Sequence, residues 1–189
     1  DKTHARKAQN PMKEIVEEYA AGLCSLAFSE GCEDELAEQA KAVKSLLTRE
    51  YLHFLLDPGV PLETRLGCID DAFGGKIHVY LVNFMKLMTE RRLADEISES
   101  LGEFIAMYYE KAGIVRVKAE SAFPLDDEQK KRLTEKLEKN TGARVEIEYV
   151  IDPALIGGMK LDFGNRRIDG SVRAKLHRVG EMLSDAAVN

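Results

Sequence analysis

Gly74-Gly75-Lys76 comes nearest in this sequence to a phosphate-binding loop, in which backbone amides and a lysine cradle phosphate oxygens and a hydroxyl holds magnesium. That chemistry needs a glycine at position 70 and a serine or threonine at position 77, and the chain has Asp70 and Ile77 there. The pair of glycines therefore reads as helix punctuation. Asp162-Phe163-Gly164 matches the magnesium-binding triplet of protein kinases, but no catalytic loop or glycine-rich loop stands in the required order, so it reads as a strand end. His4, His53, His78 and His177 are not at ligand spacing from one another or from a cysteine. Cys24, Cys32 and Cys68 are odd in number and include no C-x-x-C pair, which points to reduced thiols and not to a disulfide framework or zinc site. The acidic runs Glu33-Asp34-Glu35 and Asp126-Asp127-Glu128 fit helix starts, where negative charge meets the positive end of the helix dipole. No catalytic residue, cofactor or metal ligand emerges.

Composition sets only a broad frame for the chain. Its 189 residues are 44% hydrophobic and 32% charged, with a formal net charge of -6, an ordinary globular balance. An acidic chain is a poor default partner for nucleic acid. The exception is the local basic run Lys160, Arg166, Arg167, Arg173, Lys175 and Arg178. It reads first as a solvated face and second as a seat for an acidic helix; an RNA site would need interleaved aromatic platforms. No apolar run approaches the roughly 20 residues of a membrane-spanning helix, and the polar start shows no secretory signal. Residues 1–11, ahead of Met12, are expected to be a tail or a cloning remnant.

The elements that position these residues fall into two groups. Through residue 112 the apolar spacing is helical. Ile15, Tyr19, Leu23 and Leu26 share a face, as do Leu36, Ala40, Val43 and Leu47. A short piece, Tyr51 to Leu56, stops at Asp57-Pro58-Gly59. Pro61 suits a new first turn, leading to Leu62, Leu66, Ile69 and Phe73. In the fifth helix, about Lys76 to Glu90, residues Ile77, Tyr80, Leu81, Phe84, Met85, Leu87 and Met88 fill an arc of roughly 160°, with Val79 and Val82 outside it. So wide an arc means either burial on most sides or one flank on the core and another open to a partner helix. Leu93, Ile97, Leu101, Phe104 and Tyr108 line the sixth. Short connections predict a six-helix antiparallel bundle over residues 12–112.

From residue 113 the period changes to that of strands. Val115, Val117 and Ala119 alternate with charges. Asp126 and Gln129 resemble a capping box before a charged helix with Leu133 and Leu137 facing in. Val145, Ile147 and Tyr149 form a second strand, and Met159, Leu161 and Phe163 a third. Residues 165–170 read as a turn, and Val172, Leu176, Val179 and Leu183 line a last helix. Residues 113–189 are thus expected to be a small strand-helix-strand-strand-helix domain of α+β class.

Several motifs, in order, resemble the delta subunits of rotary proton-translocating ATP synthases, whose mitochondrial relative is the oligomycin-sensitivity-conferring protein. The hallmark is Asp152-Pro153-Ala154-Leu155-Ile156-Gly157-Gly158, with Ala154 where the family has serine, continued by Asp169-Gly170-Ser171-Val172. Tyr19-Ala20 with Leu23, Asn83-Phe84 with Leu87, and Ser121-Ala122-Phe123-Pro124-Leu125 fit as well, so the likeness runs from about Ile15 to Leu183. Physically the hallmark is structural: Asp152-Pro153 fixes a turn, Gly157-Gly158 permits close backbone approach, and Asp169 or Ser171 caps the last helix. The resemblance implies a non-catalytic stator subunit, one copy per hetero-oligomeric complex. Its helical domain binds alpha-subunit amino-terminal helices in a groove between the first and fifth helices, and its second domain holds the carboxy-terminal end of the b-subunit stalk. Groove residues are expected among Tyr19, Leu23, Val79, Tyr80 and Val82. The Asp-Gly-Ser form and the lack of a transit segment imply a bacterial protein, peripheral on the cytoplasmic face of the cell membrane. The alternative reading is a cytosolic helical adaptor outside the synthase.

Overall fold

The computed structural model describes residues 11–164, 166–172 and 174. Among the described residues six α-helices precede the first strand: α1 (Pro11–Glu30), α2 (Glu33–Leu46), α3 (Arg49–Leu56), α4 (Leu62–Phe73), α5 (Val79–Glu90) and α6 (Ile97–Lys111), with a 3₁₀ turn at Ala94–Glu96. Then come β1 (Val115–Ser121), α7 (Asp127–Thr141), β2 (Val145–Ile151), β3 (Met159–Asp162) and β4 (Arg167–Asp169). The protein is therefore mainly helical with a small sheet, an α-plus-β chain. It divides into two compact units between Tyr108 and Tyr109.

In the first unit the helices bury their apolar stripes. Ala20 and Ala27 of α1 and Ala37 and Ala40 of α2 are fully buried; small side chains let the two packed helices approach closely. Leu36, Leu55, Ile69, Leu81, Met85, Met88, Ile97, Leu101 and Phe104 fill the core. Loops are fixed by polar groups. The Thr48 hydroxyl accepts from the Tyr51 amide at 3.2 Å and caps α3. Buried Arg65 donates to the carbonyls of Leu55 (2.8 Å) and Val60 (3.1 Å), tying α4 to the turn before it. The Tyr108 hydroxyl donates to Asp34, so that carboxylate holds a distant helix as well as serving its own helix dipole.

Gly74-Gly75-Lys76 is helix punctuation. Gly75 has φ +69°, and the Lys76 ammonium donates to the Asp71 and Ala72 carbonyls at 3.1 and 2.9 Å, satisfying the open end of α4. The fifth helix starts at Val79 and not at Lys76, because the His78 amide donates to the Gln39 side chain at 2.5 Å and the His78 ring caps the new helix.

The second unit is a mixed sheet of order β2-β1-β3-β4, with β1 parallel to β2 and antiparallel to β3. Parallel pairing requires a crossover, which α7 supplies. The Asp126–Gln129 capping box is formed in both directions, at 2.7 and 3.1 Å. Val117, Leu137 and Val145 make the core, with Leu133, Ile147, Leu161 and Phe163 around it. The segment expected to be a turn contains β4, where Arg167, Ile168 and Asp169 pair with Asp162, Leu161 and Lys160. Asp162-Phe163-Gly164 is the bend between these strands: the Asp162 carboxylate takes the Gly164 amide at 2.8 Å and Arg167 at 2.7 Å, and these partners hold its pKa below the usual range. Of the basic run, Arg173, Lys175 and Arg178 lie outside the described residues, as do most of the expected last helix and residues 1–10. Among the described residues, no helix is long and apolar enough to cross a membrane.

Candidate partner-binding groove

Within the first unit a cleft of about 1030 Å³ opens between α1 and α5. From α1 it is lined by Ile15, Glu18, Tyr19, Gly22, Leu23 and Leu26. These recur at helical spacing, one face offset from the stripe Val16, Ala20, Cys24 and Ala27 that enters the core. From α5 come Tyr80, Asn83, Phe84, Leu87 and Arg91, again at helical spacing, and Leu93 follows just after the helix. Facing the core from α5 are Leu81, Val82, Met85, Met88 and Thr89. Leu23 and Phe84, buried at 5% and 6%, form the floor, while Leu26 and Leu87 stand 37% and 39% exposed on the walls. Gly22 has no side chain to narrow the cleft.

Tyr80 is held by its neighbour: the His78 ring nitrogen accepts the Tyr80 amide at 3.3 Å, and the two rings lie 4.7 Å apart. At the other end, α5 finishes in a left-handed turn at Arg92 (φ +59°), whose amide donates to Thr89 while that of Leu93 donates to Met88. This carries Leu93 back toward the helix beside Arg91.

The structure brings Tyr19, Leu23 and Tyr80 together in the lining of the cleft. Val82 is instead a core residue at 6% exposure, and Val79, 56% exposed, is not part of the lining. Leu26, Leu87, Phe84 and Ile15 were missing from the expected set, although their i, i+3, i+4, i+7 spacing with Tyr19 and Tyr80 is readable in the sequence.

The hallmark residues gather in the second unit. Asp152 donates its amide to the Ser121 carbonyl at the end of β1 and accepts the Ala154 amide on its side chain at 3.0 Å. Pro153 lies in that turn, Leu155 is buried at 5%, and Ile156 is 71% exposed. The two halves of the hallmark then lock together. Val172 donates to Gly157 and Gly170 donates to Met159, both at 2.9 Å. Gly158, with φ +81°, lies so close that a Cβ there would stand 2.5 Å from the Gly170 carbonyl oxygen. Asp169 accepts the Ser171 amide at 2.9 Å, and the buried Ser171 hydroxyl accepts the Ala174 amide at 3.2 Å. Nothing in this latch is arranged for chemistry. Among the described residues no group of His, Cys, Asp and Glu side chains stands together as a metal site.

Comparison with known proteins gives a consistent result. The family model described as ATP synthase delta (OSCP) subunit matches residues 15–183. ATP synthase subunit delta of Desulfitobacterium hafniense (strain Y51) is 34% identical over 175 residues, covering 91% of this chain and 97% of that protein. The subunit of the same name from Geobacillus sp. (strain WCH70) is also 34% identical over 175 residues, covering 90% and 98%. A chain in the Toxoplasma gondii mitochondrial ATP synthase hexamer superposes with a TM-score of 0.62 at 19% identity, over 89% of this chain and 96% of that one; this is a likeness of fold.

Proposed function

The chain belongs to the ATP synthase delta (OSCP) subunit family, and from that premise we propose that its α1–α5 groove seats an amphipathic amino-terminal helix of the alpha subunit while its second unit holds the end of the b-subunit stalk. The protein is a non-catalytic stator component of the peripheral stalk, linking the catalytic head to that stalk so that proton flow is coupled to ATP synthesis. It reaches the membrane through the complex. The reading of a cytosolic adaptor outside the synthase has no support.

In this proposal residues 12–112 work as an antiparallel six-helix bundle and residues 113–189 as the stalk-binding domain, on the cytoplasmic face of a bacterial membrane. The observation that carries it is the groove. An α-helix about 10 Å wide rising about 5.4 Å per turn occupies roughly 400 Å³ per turn, so a cleft of about 1030 Å³ accommodates two to three turns. Its apolar floor and half-exposed leucine walls match the apolar face of such a helix. An apolar groove left open on an otherwise charged surface is a mark of a docking site. With one subunit end held by the head and the other by the stalk, the two attachments add avidity against torque.

The test is calorimetric. A peptide of about 20 residues from the amino terminus of the same organism's alpha subunit is titrated into the full chain. Saturable one-to-one binding with a negative heat-capacity change supports the groove. Absence of binding to a folded, helical chain removes it.

A further inference from the structure

The apolar floor of the groove cannot by itself decide which way a helix lies in it. Leu23 and Phe84 are apolar and carry no charge that would distinguish the two directions of an amphipathic helix. The walls are different. The α1 wall carries a carboxylate, Glu18; the α5 wall carries an amide, Asn83, and a guanidinium, Arg91. All three are exposed, and none of them makes an ion pair or side-chain hydrogen bond among the described residues. Charged neighbours outside the lining are already engaged: Glu17 with Lys13 at 3.5 Å and Lys86 with Asp70 at 2.6 Å. The groove thus keeps its own charges unspent, one sign on each wall.

We propose that Glu18 and Arg91 select the direction of the bound helix, which lies with a basic flank toward α1 and an acidic flank toward α5. This rests on the groove being the seat of the alpha-subunit helix and adds its orientation. Turning a helix end for end in the groove exchanges its two flanks. A helix with one basic and one acidic flank therefore matches both walls in one direction and opposes both in the other. Arg91 is well placed for the task, because it caps α5, where the negative end of the helix dipole favours a cation.

The alpha-subunit peptide is titrated into the full chain and its Glu18→Gln and Arg91→Gln variants. Each variant is expected to weaken binding about threefold at roughly 50 mM salt, as for exposed ion pairs, and the difference should vanish near 1 M salt, where the screening length is about 3 Å. Orientation is read from a spin label at the peptide's amino end. In the native chain it broadens methyl resonances near one end of α1, Ile15 or Leu26. In the double variant Glu18→Lys with Arg91→Glu it should broaden those at the opposite end. The same end broadened in both proteins, or affinities insensitive to both neutral variants at low salt, overturns the charge-selected direction while leaving the groove. Failure of the peptide to bind the native chain at all removes the groove reading and the direction with it.

Discussion

Replacing Gly158 with alanine tests the idea that the two halves of the hallmark form a latch. The new Cβ would meet two backbone atoms, the Gly170 carbonyl oxygen at 2.5 Å and the Ser171 Cα at 2.8 Å, neither of which is the end of a flexible side chain. Relief requires moving the 170–172 segment, and with it the hydrogen bonds from Gly170 to Met159 and from Val172 to Gly157. Overpacking of this kind costs about 1–3 kcal/mol. The left-handed backbone, φ +81°, adds about 1–2 kcal/mol for a residue with a side chain, less about 0.5 kcal/mol regained because alanine has less freedom than glycine when unfolded. The sum is about 1.5–4.5 kcal/mol. Gly164 is the matched control, with φ +82° and nothing within 4 Å of a built Cβ, so its alanine variant should lose only about 1 kcal/mol.

The chain has no tryptophan to report on unfolding, so native-state amide exchange in the full chain is the suitable assay. Amides of Val117 and Ala119, in the strand flanked on both sides, report opening of the sheet. Gly158→Ala should speed their exchange about 10- to 2,000-fold, at about 1.4 kcal/mol per factor of ten, and Gly164→Ala about fivefold. Met85, in the core of the first unit, is the internal reference. Equal acceleration by the two variants would refute the close-approach argument, because the shared backbone conformation would then account for everything.

The remaining expectations concern the first unit. Tyr80→Ala and Leu87→Ala should each weaken alpha-peptide binding tenfold or more, about 1.4 kcal/mol, whereas Val79→Ala should change it less than about twofold, as read by calorimetry. Arg92→Gly should stabilise the chain by about 0.5–1 kcal/mol in urea unfolding, since glycine adopts the left-handed turn at φ +59° without a Cβ clash. Glu96→Gln should raise the melting temperature at pH 7. Burial and the nearby Asp95 and Glu99 carboxylates push the Glu96 pKa above its ordinary 4.5. Its charged form is thus disfavoured in the folded state, and the penalty is full above the raised pKa. The gain from the substitution should fade as pH falls through the raised pKa and disappear below about 4.5, the unfolded value; a gain that persists at pH 3 contradicts the assignment.

How much of this was readable in advance depended on whether the deciding contacts were local. Each helical stripe follows from its own spacing, and the Asp126–Gln129 cap is complete within four consecutive positions. The wide apolar arc of α5 was visible too, but sequence cannot divide an arc between two neighbours. Val82 went to the core and Leu87 to the groove because of where the other helices lie. The start of α5 is not legible in its own segment for the same reason: its boundary is set by Gln39, far away in the chain. Strand β4 carries no sequence signal because Arg167-Ile168-Asp169 has only one apolar residue and all three are exposed, so its pairing with β3 leaves no alternation to read. The hallmark glycines signalled a tight backbone, but that Gly158 is tight against Gly170 is a fact of tertiary structure.

The sheet order also has a meaning in time. Strand β1 pairs with β2 on one side and β3 on the other, and both are made after it. Translation at about 5–20 residues per second separates the end of β1 from the end of β2 by roughly two to six seconds. During that interval the strand destined for the middle of the sheet has both edges bare, while the residues of the first unit are already synthesised. Arg116, Lys118 and Glu120 interrupt its apolar positions along the whole length. Besides facing outward in the finished sheet, they keep the growing chain from offering a neighbouring ribosome's product an uncharged ribbon to pair with.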